Sequence, residues 1–107
     1  AHRAIVGSGE GGLVPLVLSV LTGKPVGSEV SIGAEGDSYY EYLLKLWLQT
    51  NRTDAAVRAR WDAARAGIAT LTTHAEGPHR RPFVAPRVGG QLNPWMDHLS
   101  CFWPGAL

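Results

Sequence analysis

Apolar positions fall into separate stretches along the chain, divided by turns rich in glycine and proline. Leu13-Val14-Pro15-Leu16-Val17-Leu18-Ser19-Val20 is rich in β-branched residues and has proline third. That pattern predicts an edge strand or a buried extended segment. Thr22-Gly23-Lys24-Pro25 signals a turn, and Glu29 to Ile32 returns as a second strand, predicting a β-hairpin. Gly33 and Gly36 frame a bend. From Tyr39 to Leu48 nearly every position is apolar, which predicts a central helix buried on several sides. Asp37 or Ser38 is the candidate cap. With Ser38 capping, Glu41 falls three residues later and completes a capping box. Glu41 and Lys45 stand one turn apart in the favourable order.

Asn51 to Asp54 breaks the pattern. Val57, Trp61, Ala64, Ile68 and Leu71 then recur at helical spacing and define one face of a second helix. Arg58, Asp62 and Arg65 make a ladder of surface pairs on its other side. From Glu76 to Pro94 proline and glycine accumulate, with Phe83 and Val84 as a brief strand. Trp95 to Trp103 is again apolar, and Pro104-Gly105 is expected to bend it. The fold class is therefore mainly α. One helix wrapped on all sides beside one striped helix implies inner and outer helical layers.

Composition narrows the function classes. The 107 residues allow one small domain, and 45% hydrophobic content is too high for a disordered tail. Ten basic residues against nine acidic ones leave a net charge of +1, which supplies no field for nucleic acid or anionic lipid. Arg80-Arg81, the one adjacent basic pair, reads as a solvated loop. No apolar run reaches the length of a membrane span, and no secretion signal opens the chain.

Several patterns invite chemistry. Gly7, Gly9 and Gly12 match the spacing of a dinucleotide-binding loop, but the segment that follows reads as extended where a helix is required, so nucleotide binding is rejected. Asp37 opens a helix, where unpaired amides and the helix dipole favour its ionised form. It suits a general base, a cation ligand, an acceptor for sugar hydroxyls or simply a cap; a general acid needs a raised pKa. Tyr39, Tyr40 and Tyr42 either stack on sugar rings or fill a core, with core packing the default. His98 and Cys101 are close in sequence, yet two or three ligands without a second cluster do not make a zinc site. A Cys–His nucleophilic pair is equally unsupported, since nothing in the sequence suggests an oxyanion hole or a third residue orienting His98. Cys101 alone reads as a small buried hydrophobe. Asn51-Arg52-Thr53 is an N-glycosylation acceptor pattern, meaningful only in a secreted chain.

Gly12-Leu13-Val14-Pro15, Ile32-Gly33-Ala34, Gly36 to Lys45, Trp47 and Met96-Asp97-His98-Leu99-Ser100-Cys101-Phe102, followed by Pro104-Gly105, resemble glycoside hydrolase family 47, the class I α-mannosidases. The similarity runs in order from Gly12 to the end of the chain, making residues 1–107 a partial catalytic domain. The resemblance implies a segment of an (α/α)7 barrel, with a β-hairpin preceding the central helix. It implies inverting hydrolysis of α-1,2-linked mannose from high-mannose N-glycans in the endoplasmic reticulum or Golgi lumen. A calcium ion is implied as cofactor, with its ligand residue outside this chain, and membrane anchoring only through segments not present.

Residue by residue, the resemblance gives Asp37 a catalytic role in protonating the leaving group. His98 matches a residue contacting sugar and Asp97 its supporting neighbour. Cys101 matches half of a disulfide whose partner lies beyond Leu107. Glu35 departs from the pattern: many members carry a substrate-holding arginine there, and the reversal removes a multidentate donor. Ser100 replaces a small apolar residue. Inversion needs an acid and a base around the scissile bond, and the remaining carboxylates belong to segments outside this chain, so the 107 residues alone are expected to be inactive. Two rivals remain: a non-catalytic, degradation-enhancing relative that recognises glycans, motivated by Glu35, and a small helical domain whose resemblance is incidental.

Overall fold

A computed structural model describes residues 11–107. Gly7 and Gly9 lie outside the described residues. The architecture is mainly helical with two small antiparallel strand pairs. Helix α1 spans Asp37–Gln49 and α2 spans Ala55–Ala69, joined by residues 50–54. They make the most extensive contact of any two elements. Strands β1 (Thr72–His74) and β2 (Pro82–Val84) pair with Thr73 opposite Phe83. Strands β3 (Arg87–Val88) and β4 (Gln91–Leu92) form a second, shorter pair. A 3₁₀ helix over His98–Phe102 runs into the short α3, Trp103–Ala106.

The two long helices begin differently. Asp54 caps α2: its Oδ1 accepts from Ala56 N and Val57 N, each at 3.0 Å. Helix α1 has Gly36 at its N-cap and no side-chain cap, so the predicted Ser38–Glu41 box does not form. The backbone supplies the reason. Gly33 O accepts from Asp37 N at 2.8 Å, so helical bonding is already under way before Ser38, which lies inside the first turn. The predicted Glu41–Lys45 pair does form, at 2.6 Å.

The end of α1 is a Schellman motif. Asn51 N donates to Leu48 O at 3.0 Å and Arg52 N to Trp47 O at 2.9 Å, with both residues left-handed (φ 53° and 62°). The guanidinium of Arg52 lies 5.7 Å from the Trp47 ring centroid, in the place where this motif usually has an apolar contact. Arg58 stacks on the same ring at 4.6 Å, fastening the first turn of α2 to the last turn of α1.

Tyr40 and Leu43 from α1 meet Trp61, Ala64 and Ile68 from α2 in the core. Leu13, Val14, Val30 and Ile32 close it on one side, with Leu71 and Trp103 also in the cluster. The α2 stripe read from the sequence is the face observed. Trp103 packs 5.3 Å from Trp61, so the C-terminal segment returns to α2. Each fully buried leucine or isoleucine contributes about 1.5–3 kcal/mol. Gly12 crosses α2 so closely that a Cβ there would collide with the Ala63 backbone, and at φ 80° it holds a conformation glycine adopts freely.

The predicted hairpin before α1 is not formed as regular strands. Leu16 N donates to Glu29 O, Val26 N to Val17 O, and Ser19 N to Lys24 O, but the pairing amounts to one isolated bridge between Leu18 and Pro25. Pro15 and Pro25 offer no N–H to a ladder. The return segment is drawn elsewhere: Val30 and Arg87 exchange two backbone hydrogen bonds, of 3.0 and 2.9 Å. A hairpin that the sequence reading missed lies at 87–92. Its turn is Gly89-Gly90, both at positive φ, a two-residue signal for a type I′ turn.

Three further expectations are corrected. The α1 helix is not wrapped on all sides: Tyr42 and Leu48 are exposed, because packing partners reach only the Tyr40–Leu43 face. Cys101, the chain's single cysteine, is free and exposed, so neither the buried reading nor the disulfide holds here. A disulfide requires a second thiol whose Cα lies within about 7 Å. Nor does the membrane expectation hold, since no helix among the described residues is long and apolar enough to cross a bilayer. The longest, α2, has 15 residues and carries Arg58, Arg60, Asp62 and Arg65, whereas a span needs about 20 mostly apolar ones.

Candidate functional site

The bend before α1 is built by short local bonds. Ser31 is buried and its hydroxyl accepts from Gly33 N at 2.9 Å. Gly36 N and Asp37 N both donate to Gly33 O, turning the chain into the helix. Glu35 occupies the outer corner at φ 70°, exposed. At the first position of α1, Asp37 is half-buried, and its Oδ1 accepts from its neighbour's backbone, Ser38 N, at 2.7 Å.

Against this bend lies a segment more than sixty residues away in sequence. Asp97 divides its carboxylate between two tasks. Oδ1 accepts from Leu99 N at 2.9 Å and caps the 3₁₀ helix. Oδ2 accepts from Ala34 N at 2.9 Å and pins the bend. The approach depends on Gly33, because a Cβ there would lie 2.7 Å from Asp97 Oδ2. The backbone N–H of Ala34 and then that of Leu99 hold the Asp97 carboxyl below its ordinary pKa. Its side chain is only 16% exposed, against 88% for His98, whose Nδ1 lies 3.4 Å from Asp97 Oδ1. Asp97 is therefore a fixed anion, and His98 an open imidazole held beside it.

The three tyrosines separate by role. Tyr40 is fully buried, and its hydroxyl accepts from Val14 N at 3.1 Å. Burial pushes its pKa up to about 12. Tyr39 packs edge-on to it at 5.2 Å, and burial raises its pKa too. Tyr42 is exposed, with Lys45 Nζ 4.9 Å from its ring centroid. The core reading is correct for Tyr40, while Tyr42 keeps an open ring.

Among the described residues, no three His, Cys, Asp or Glu side chains converge to hold a metal ion. The described residues therefore offer no carboxylate cluster of the kind that holds calcium. A cavity of about 490 Å³ opens between β1, β2 and the segment after β4, lined by Thr73, His74, Glu76, Phe83, Leu92 and Asn93. It includes none of the candidate site residues Glu35, Asp37, Asp97 and His98. What the fold does assemble is the Glu35–Asp37 bend and the Asp97–His98 pair, joined through Ala34. The capping role of Asp97 was legible as an aspartate opening a turn; its bond to Ala34 was not.

Known proteins match nearly the whole chain. The sequence profile of glycosyl hydrolase family 47 covers residues 3–107. An endoplasmic reticulum mannosyl-oligosaccharide 1,2-alpha-mannosidase of Schizosaccharomyces pombe is 41% identical over 100 residues, covering 90% of this chain and 19% of that protein. A mannosyl-oligosaccharide 1,2-alpha-mannosidase of Candida albicans is 39% identical, again over 90% of this chain and 18% of the relative. The human endoplasmic reticulum enzyme of the same description is 39% identical, over 90% of this chain and 14% of its own length. The chain thus spans about a fifth or less of these relatives.

Proposed function

Because the chain belongs to glycosyl hydrolase family 47, we propose that it contributes one wall of the active site in an inverting 1,2-alpha-mannosidase acting on high-mannose N-glycans. The observation that carries this reading is the Asp97–Ala34 hydrogen bond, which couples the acidic bend to the exposed imidazole. Inversion places an acid and a water-activating base on opposite sides of the scissile bond. Asp37 serves the acid side. Its carboxylate is half-buried at the first position of α1, from where it passes a proton to the leaving group directly or through a water. His98 meets the mannose ring, and Asp97 orients both the imidazole and the bend. The chain supplies a segment of an (α/α)7 barrel whose remainder, with the base and the calcium site, belongs to the rest of the enzyme, and the compartment is the lumen of the endoplasmic reticulum or Golgi.

Glu35 favours a second reading. An exposed carboxylate stands at the corner of the bend where an arginine fork would grip a glycan bidentately. A degradation-enhancing relative that recognises mannose glycans without cleaving them would tolerate that change.

Mannose release from a high-mannose glycan by the full-length enzyme separates the two. The catalytic reading expects turnover, with Asp37→Asn reducing kcat by about 10²–10⁴-fold and the isolated 107 residues showing none. Undetectable turnover in the full-length protein, with glycan binding retained, would establish the recognition reading instead.

A further inference from the structure

We propose that Asn51 is an N-glycan acceptor, which places a sugar chain on the opposite end of α1 from the candidate site. Asn51-Arg52-Thr53 has the acceptor pattern, and all three residues are exposed on the link between α1 and α2. Helix α1 has 13 residues, about 18 Å of rise between Asp37 and its last turn. The attachment point therefore lies at the far end of α1 from Asp37.

The Schellman geometry shows why the position tolerates a branch. Its hydrogen bonds use the backbones of Asn51 and Arg52, leaving the side-chain Nδ2 of Asn51 outside the motif. Arg52 folds back towards Trp47. In the folded chain Thr53 Oγ1 donates to Thr50 O at 2.6 Å, so this hydroxyl is occupied. Modification therefore precedes closure of the helix end, while the chain is still extended. A lipid-linked oligosaccharide pyrophosphate is the donor. The bond from its anomeric carbon to the phosphate oxygen breaks, a C–N bond to the Asn51 Nδ2 forms, one amide proton is lost, and the lipid pyrophosphate leaves.

Asparagine also suits a left-handed helix end for purely conformational reasons, and the test must divide the two roles. It rests on the luminal part of the proposed function, so the full-length protein is expressed behind a cleavable secretion signal. Protease protection in microsomes verifies delivery independently of mannosidase activity. Peptide mass spectrometry after amidase treatment should find Asn51 converted to Asp. Asn51→Gly, which keeps the turn, and Thr53→Ala should each lose the modification, whereas Thr53→Ser should retain it. Protected, folded protein with unmodified Asn51 overturns the proposal, as does a modification at residue 51 that survives Thr53→Ala.

Discussion

Asp97 shows how much one side chain settles at the scale of a residue. Its two oxygens serve two segments, so its loss should release the bend as well as fray the 3₁₀ helix. The lowered pKa fixes the sign of the pH response. Stability from this group is complete above its ordinary pKa and is lost as pH falls through the folded value. Asp97→Asn should lower the thermal midpoint at neutral pH and flatten the acid limb of the stability profile. An unchanged acid limb would place the acid sensitivity elsewhere. Tyr40 gives the opposite dependence. Its folded pKa of about 12 lies above the ordinary 10.0, so the unfolded chain ionises first and stability declines as pH rises from 10 towards 12. Tyr40→Phe should remove that decline. It should also cost about 1–3 kcal/mol by stranding the buried Val14 N–H, as read by chemical denaturation.

Caps and turns govern the elements. The stripe of α2 was legible because hydrophobic period is a local property, whereas Asn51 to Asp54 read only as a break and the structure shows Asp54 as the cap. Asp54→Ala should cost about 1 kcal/mol, since two amides lose one acceptor; Asn51→Gly should be nearly neutral, because glycine tolerates the same left-handed backbone. Urea titration of both variants tests the contrast. The Gly89-Gly90 hairpin is equally local, but its turn signal lies within a stretch already dense in glycine and proline. The hairpin before α1 failed for a reason no local pattern contains. Val30 exchanges its hydrogen bonds with Arg87, a partner that lies far along the chain.

For the whole molecule, the covered share of the relatives matters together with what the surface exposes. Val20 and Leu21 are 99% and 92% exposed, and Tyr42, Leu48 and Trp95 are also open. Exposed apolar surface of this kind usually marks contact with further polypeptide. The isolated 107 residues should therefore bind a hydrophobic fluorescent dye and self-associate, while the same residues inside a full-length enzyme should not. Sedimentation of a dye-silent monomer would contradict this.

The sequence by itself determined the helical stripes, the turn residues and the two motifs that place the chain in its family, because periodicity and backbone preference act over a few residues. Tertiary structure alone decided that Ala34 meets Asp97, that Gly33 leaves room for that contact, that Tyr40 receives the Val14 amide, and that only one face of α1 is covered. Those outcomes depend on which distant segments compete for the same hydrogen bonds and the same apolar surface, and that competition is resolved only when the chain closes on itself.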